Sequence, residues 1–598
     1  MNRFRDISHA IQHVELESEE EMEVEQYGEG EGETSDDDAE EDSYEEGSEN
    51  EFPPCPPEPE QEPEYLNYDW LNEYYQDNQL NSLSDEECSV DLLPESPVVF
   101  AEDEANGEFF TSKKDGTKWK KTACVVSRKP PSHNVIRGPV DKVRTPEGNL
   151  QQDPVYYLML YLNDIIPMLT FYTNMEAERV LESTGREWKQ IDDLEMGAFI
   201  GLLYLNGILG LNNRPTKTIW GRVYGVNIFR ATMSRTRFKN ILRFLRFDNC
   251  TARKTSKPKD KLAPIREVWE IFDCLLAKYY IPGENLTIDE QLVDYRGKCP
   301  FKQHMPSKPG KYGLKIFWLN DASTGYPLKS LPYLGKNADQ RAKNVGANTV
   351  LQLAEIYFGT NRNITVDNFF TSLDLAKCLK ENGLTICGTV RMNKTFIPEE
   401  FLDCKSREVY SSIFGFSKDF TIVSYTPKKR KCVILLSSMH HNGRVSGPKQ
   451  IPDIILHYNS TKAGTDRMDQ MIGNYSCRRS NRRWPMRYFM NLLDVAGLAA
   501  FIVHQKKFPS QSRNTDKRRV FLQAAAEGMI WPHINRRNSR SAAEIWPTEE
   551  GTGKRKAKPE RGRRGYCHIC GIRTMSVCSK CKKNTCVKHI IKLCNKCK

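Results

Sequence analysis

Residues 285–292 read Asn285-Leu286-Thr287-Ile288-Asp289-Glu290-Gln291-Leu292, and the hydrophobic period changes here. From Pro154 to about Leu286 apolar residues recur at helix-face spacing, as in Tyr157, Leu158, Leu160, Tyr161 and Ile165. Leu286–Asp289 instead reads as a strand ending on a carboxylate. Working outward, Tyr312–Leu319 and Tyr326–Leu334 are predicted strands and Thr349–Phe358 a helix. Asn363–Asp367 is again a strand, Leu373–Glu381 a helix and Thr385–Arg391 a strand. Ser411–Phe416, Phe420–Tyr425 and Cys432–Ser438 read as an inserted β-rich subdomain, and Ile454–Tyr458 as a return to strand. Helix resumes after Lys462-Ala463-Gly464-Thr465-Asp466 and runs to about Lys507.

The core order β-β-β-α-β-α-β predicts a mixed α/β sheet of the ribonuclease H-like type. Asp289 and Asp367 end the first and fourth strands, and Asp466 precedes a helix, so the three are expected to converge at one edge. Carboxylates are hard oxygen ligands suited to Mg²⁺ or Mn²⁺. Two such ions activate an attacking hydroxyl and stabilise a leaving oxygen in phosphoryl transfer. Spacing alone favours the plainer role of turn or cap residues.

The words around these positions decide more. Ile288-Asp289-Glu290-Gln291-Leu292, Arg296-Gly297-Lys298-Cys299-Pro300-Phe301 and Pro306-Ser307-Lys308-Pro309-Gly310-Lys311 resemble the piggyBac transposase family. So do Ile364-Thr365-Val366-Asp367-Asn368-Phe369-Phe370, Gly388-Thr389-Val390-Arg391-Met392-Asn393-Lys394, Tyr458–Met471 and Asn481-Arg482-Arg483-Trp484-Pro485. The resemblance spans roughly residues 150–510 and the tail. It implies a metal-dependent, cut-and-paste DNA transposase with Asp289, Asp367 and Asp466 as Mg²⁺ ligands and Asp469 as an accessory acidic residue. It implies DNA contacts at Arg391 and Lys394. In their Arg-rich run Arg482, Arg483 and Trp484 are candidate contacts too, Trp484 stacking on or wedging into DNA unless it is a core residue. The implied reaction nicks a transposon end, turns the freed 3′-OH on the opposite strand, and inserts the element at TTAA. Ala463 stands where relatives often carry a second glycine before Gly464.

The last 32 residues hold seven of the 18 cysteines, in the pairs Cys567/Cys570, Cys578/Cys581, Cys586/His589 and Cys594/Cys597. Eight soft ligands in four pairs predict two tetrahedral Zn²⁺ sites. Joining neighbours would force the last two pairs across a four-residue loop, whereas interleaving leaves loops of 15 and 12 residues. The expected cross-brace puts Cys567, Cys570, Cys586 and His589 on one ion, and Cys578, Cys581, Cys594 and Cys597 on the other. A ubiquitin ligase reading of this tail leaves the α/β core unexplained.

Charge is split along the chain. Residues 1–112 hold 37 acidic residues against Arg3 and Arg5, a net of −35; the rest holds 84 basic against 42 acidic, a net of +42. Such a body suits a polyanion, with double-stranded DNA the first candidate. The expected organisation is a disordered acidic region over 1–130, then a helical DNA-binding and dimerisation domain in two parts, 131–284 and 478–540. Between these lie a catalytic domain at 285–394 and 453–477 and the β-rich insert at 395–452. A basic linker at 541–565 leads to the zinc-binding 566–598. A nuclear homodimer is expected, with no signal peptide and no membrane span, and with Ser35 and Ser84 open to an acidophilic kinase. The competing reading is a host-adopted protein that retains DNA or chromatin binding alone.

A tethered polyanion competes with DNA for a basic surface at high local concentration. Deleting residues 1–112 is therefore expected to tighten non-specific DNA binding at low salt, with the gain shrinking as salt rises. Equal affinities of the full and shortened chains at low salt would leave the region as a solubiliser.

Overall fold

The computed structural model describes residues 108–123, 131–146, 152–183, 185–256, 260–306, 308–335, 344–509, 516–537, 565–566 and 573–574. Among the described residues the first element is a hairpin, β1 (Phe109–Thr111) and β2 (Lys118–Lys120). Five principal helices follow: α1 (Pro154–Leu162), α2 (Ile165–Glu182), α3 (Asp193–Ile208), α4 (Arg235–Phe244) and α5 (Arg266–Tyr279). Their starts are set by local chemistry. Asp153, Asp192 and Ser234 each accept a backbone N–H of the first turn.

The sheet then begins with β3 (Asn285–Asp294), β4 (Gln303–His304), β5 (Tyr312–Asp321) and β6 (Pro327–Pro332). β5 runs antiparallel to β3, β4 and β6. Helix α6 (Val345–Ala354) leads to β7 (Asn363–Val366), and α7 (Leu373–Glu381) leads to β8 (Thr385–Thr389). β7 lies between β3 and β8 and parallel to both, as helical crossovers require. This is the anticipated mixed core, consistent with a ribonuclease H-like fold.

Four differences from the sequence reading have physical causes. Strand β3 does not stop at Asp289 but runs five residues further along β5, where Glu290 pairs with Lys315 and Gln291 with Trp318. The expected insert is not a body apart. Its strands β9 (Ser412–Phe416), β10 (Thr421–Lys428) and β11 (Lys431–Ser437) continue the central sheet through β11 on β8. β2 then adds to β9, so residues 108–123 belong to the sheet rather than to the acidic region assigned to 1–130. Trp119 anchors them, 1% exposed, its indole donating to the Phe396 carbonyl at 3.0 Å. Among the described residues the sheet has eleven strands, ordered β1-β2-β9-β10-β11-β8-β7-β3-β5-β4, with β6 also on β5.

The predicted strand at Ile454–Tyr458 is instead helix α8 (Asp453–Thr461), followed by α9 (Gly464–Asn474). A five-residue apolar run does not separate strand from buried helix. Pro452 at the N-cap and Asp453 in the first turn favour the helix. Helices α10 (Trp484–Lys507) and α11 (Lys517–Arg537) return to the first five. By length and apolarity α10 is able to cross a membrane, yet its apolar stretch is 83% buried here, as a core helix.

α3 packs along α11, and from Glu195 to Ile208 every residue of it is buried. Gly201 makes that approach possible: a Cβ there would stand 2.8 Å from Ile530 Cγ1 and 2.9 Å from the Ala526 carbonyl oxygen. Gly201→Ala is expected to destabilise the fold by about 1–3 kcal/mol through overpacking. Gly473→Ala, where a Cβ meets nothing within 4 Å, is expected to be neutral or slightly stabilising. Denaturant midpoints of the two variants check the contrast.

Candidate active site

The corner between α8 and α9 is stitched to three strands. Thr461 accepts on its carbonyl from Thr287 Oγ1 of β3 at 2.6 Å, and its hydroxyl lies 2.8 Å from Thr365 Oγ1 of β7. Thr465 donates to Asn320 Oδ1 of β5 at 2.8 Å. Alternate residues of a strand share a face. Thr287 and Thr365 stand two residues before Asp289 and Asp367, so both aspartates lie on the face that receives α9. The parallel register, Ile288 opposite Val366, sets them side by side. Further along that face Gln291 donates to Asp469 Oδ1 on α9 at 2.6 Å. Asp466 lies in the first turn of the same helix, its side chain exposed. Gly464 allows the contact, since a Cβ there would stand 2.7 Å from Thr287 Oγ1. Ala463, at the N-cap with φ −89°, needs no glycine.

Local turns aim the acids. Asp289 Oδ1 accepts the Glu290 N–H at 2.8 Å. Asp367 closes β7, and its Oδ1 accepts the Phe369 N–H at 2.8 Å. Burial pushes the Asp289 carboxyl up to about 7, and the neighbouring Glu290 and Asp367 charges add to the rise. Asp367 is raised too, chiefly by burial. Asp469 is raised to about 6 by burial, against the Gln291 hydrogen bond and the nearby Lys308, with Asp466 adding to the rise. Among the described residues no three His, Cys, Asp or Glu side chains already form a closed metal cluster. The donor set nonetheless fits a hard divalent cation: partly desolvated carboxylates that repel one another, with an exposed fourth on the facing helix.

Sequence reasoning missed Gln291, Lys308 and Tyr458 as neighbours of the acids. Lys308 donates to the Glu290 carbonyl at 3.2 Å, and Tyr458 stands close enough to feel both Asp289 and Asp367. The only signal for Gln291 was its strand parity with Asp289, hidden while β3 was taken to end there.

The basic candidates divide. Arg391 is exposed beside Asp367, its Nε donating to Asn368 Oδ1 at 3.2 Å and its guanidinium 5.7 Å from the Phe369 ring centre. Lys394 is half-buried, and burial lowers its ammonium from the usual lysine range. Arg482 leaves its side chain exposed while its carbonyl accepts from the Tyr295 hydroxyl. Arg483 and Trp484 have internal partners instead. Arg483 caps the end of α4, donating to the Leu242 and Leu245 carbonyls at 2.9 Å each. Trp484 packs edge-on against Phe301 with ring centres 5.0 Å apart. On and beside the basic helix α4, Arg237 pairs with Glu195 and Arg246 with Glu176, each at 2.8 Å. Arg235, Lys239 and Arg243 stay exposed.

The eight zinc-ligand candidates, Cys567, Cys570, Cys578, Cys581, Cys586, His589, Cys594 and Cys597, lie outside the described residues, as do Ser35 and Ser84. Backbone pairing of Gly565–Tyr566 with Arg573–Thr574 does bring together the ends of the segment that carries Cys567 and Cys570.

A mixed sheet with a parallel strand pair presenting adjacent aspartates to an acidic helix start is consistent with a ribonuclease H-like core. A family model described as Transposase IS4 matches residues 153–501, more than half of the chain. The chain belongs to the piggyBac transposase family. It is 25% identical over 427 residues to human PiggyBac transposable element-derived protein 3, covering 67% of this chain and 70% of that one. It is 23% identical over 330 residues to human PiggyBac transposable element-derived protein 2, covering 52% and 55%. It is also similar to the cryo-EM structure of a piggyBac transposase synaptic complex with hairpin DNA. There the identity is 31% and the TM-score 0.66, with 77% of this chain and all of that one covered.

The raised carboxyls have a consequence for stability. A carboxyl whose folded-state pKa lies above its unfolded value holds a proton that the unfolded chain releases, so its contribution to stability falls as pH rises from about 4 through about 7. Metal-free wild type is therefore expected to lose thermal stability relative to Asp289→Asn between pH 5 and pH 8. Mn²⁺ at pH 8 is expected to raise the wild-type midpoint and leave Asp289→Asn nearly unmoved. Parallel pH profiles of the two proteins would show that Asp289 titrates normally.

Proposed function

We propose that this protein is a divalent-cation-dependent DNA transposase that cleaves and joins strands at transposon ends and inserts at TTAA targets. The observation that carries the reading is the side-by-side placement of Asp289 and Asp367, facing the helix start that bears Asp466 and Asp469. Asp289, Asp367 and Asp466 would hold Mg²⁺ or Mn²⁺, which when bound would supply Lewis-acid activation of the attacking oxygen and charge neutralisation at the leaving one. The chain's own task is positioning. The threonine-stitched corner fixes both strands against α9, and the sheet keeps the two aspartates at one spacing. Arg391, beside Asp367, is placed to hold a backbone phosphate near them. Exposed cations on α4 and Arg482 extend the DNA-binding surface, and the zinc tail would grip the transposon end. Likeness to the synaptic complex with hairpin DNA supports a duplex substrate and a hairpin step. A nuclear location and a homodimer that pairs two ends accord with this chemistry, as does kinase control of the acidic region.

The second reading, a host-adopted DNA- or chromatin-binding protein without catalysis, draws support from the human relatives, which are named as element-derived proteins. A plasmid excision assay separates the two. Asp→Asn at 289, 367 or 466 is expected to cut strand cleavage by about a thousandfold, the equivalent of several kcal/mol of transition-state stabilisation. Binding to transposon ends should stay near the wild-type level. A wild-type chain that binds ends and never cleaves them selects the adopted protein.

A further inference from the structure

Beneath the acidic cluster lies a buried pair of amides that has only one self-consistent arrangement. Gln291 of β3 is 2% exposed and Asn491 of α10 is 6% exposed. They bond reciprocally: Gln291 Nε2 donates to Asn491 Oδ1 at 3.1 Å, and Asn491 Nδ2 donates to Gln291 Oε1 at 3.0 Å. An amide is ordinarily free to exchange its oxygen and nitrogen ends. Trp318 of β5 removes that freedom here. Its indole N–H, fully buried, points at Gln291 Oε1 from 2.9 Å. An indole nitrogen only donates, so the group it meets must be the oxygen. That fixes Gln291, and Gln291 fixes Asn491. One N–H of Gln291 is used by Asn491; the other is aimed at Asp469 Oδ1 at 2.6 Å.

We propose that Gln291, locked by Trp318 and Asn491, is a positioning residue that holds Asp469 by one oxygen and turns the other toward the divalent-cation site. The inference rests on the reading that these carboxylates bind a divalent cation. Three elements packed against α9 or its neighbours, β3, β5 and α10, converge on this one hydrogen bond. A neutral donor suits the task. It restrains the carboxylate while leaving its charge for the cation, whereas a lysine or arginine in its place would neutralise that charge. Asp469 also borders a cavity of about 330 Å³ whose lining includes Lys308, Arg478 and Arg487, so the amide contact leaves the acid open on another side. Hydrogen-bond partners behind metal ligands commonly change metal affinity by about 10- to 100-fold when removed.

Gln291→Glu tests the donor itself. When ionised, the substituted carboxylate keeps the size of the amide and still accepts from Trp318 and Asn491 Nδ2, but meets both Asp469 and Asn491 Oδ1 with an oxygen in place of an N–H, so the measurements are made at pH 8. The full-length protein is titrated with Mn²⁺ alone by calorimetry, and strand cleavage of end DNA is followed across Mn²⁺ concentrations. Gln291→Glu is expected to bind Mn²⁺ about tenfold more weakly and to need correspondingly more of it for half-maximal cleavage, with end-DNA affinity unchanged. Asn491→Ala, which keeps the donor and frees it to tilt, should shift both in the same direction by less. Thermal midpoints confirm that each variant folds. A folded Gln291→Glu chain with wild-type Mn²⁺ affinity and metal dependence overturns the positioning role while the strand-transfer reading stands. A wild-type chain that takes up no Mn²⁺ overturns both.

Discussion

One small contact governs this molecule: the meeting of Thr461 with Thr287 and Thr365, made close by the missing side chain of Gly464. A strand pair fixes the spacing of its own side chains, but not their distance from a helix on its face. Here two threonine hydroxyls, each two residues ahead of an aspartate, tie the strands to the same helical corner. The acids on the strands and the acids on α9 are thereby referred to a common point. Buried hydroxyls that failed to pair would each cost about 1–3 kcal/mol, so the corner resists sliding.

The core order and the strand–helix alternation from Tyr312 to Thr389 were legible because each rests on a local signal, whereas the acidic positions were singled out by the family words around them. The local signals are period and turns. What was not legible depended on partners far away in sequence. Gln291 lies beyond the strand as read from sequence, which ends on Asp289, until Trp318 and Asn491 are placed around it. The strands at 412–437 look like a separate subdomain until Cys387 is seen opposite Ser437. The hairpin at 109–120 sits next to a long acidic stretch, and its aromatic residues gain meaning only from Phe396, whose carbonyl accepts from Trp119, and Phe401, whose ring meets Phe110 edge-on. Arg483 and Trp484 carry the composition of a nucleic-acid contact, yet the first serves as a helix cap and the second as core.

The basic body therefore has two populations of arginine. Arg237, Arg246, Arg479, Arg483 and Arg487 spend their guanidinium donors on buried carboxylates and main-chain carbonyls. Arg391, Arg482, Arg235 and Arg243 remain toward solvent. Net charge alone overstates the surface offered to a polyanion, since only the second group adds directly to it.

The helices around the sheet come from both ends of the chain. The Tyr204 hydroxyl donates to the Leu493 carbonyl across 289 residues, and Trp119 reaches Phe396 across 277. Loop closure on that scale is slow, and a ribosome releases the chain from its N-terminus. Helices α1 to α5 thus emerge long before α10 and α11 exist to cover them, and α3, whose residues from Glu195 to Ile208 are all buried in the fold, waits without its partner. During synthesis this is a stretch that needs shielding by a chaperone, and a chain truncated before residue 484 would remain a client of quality control rather than a smaller working protein.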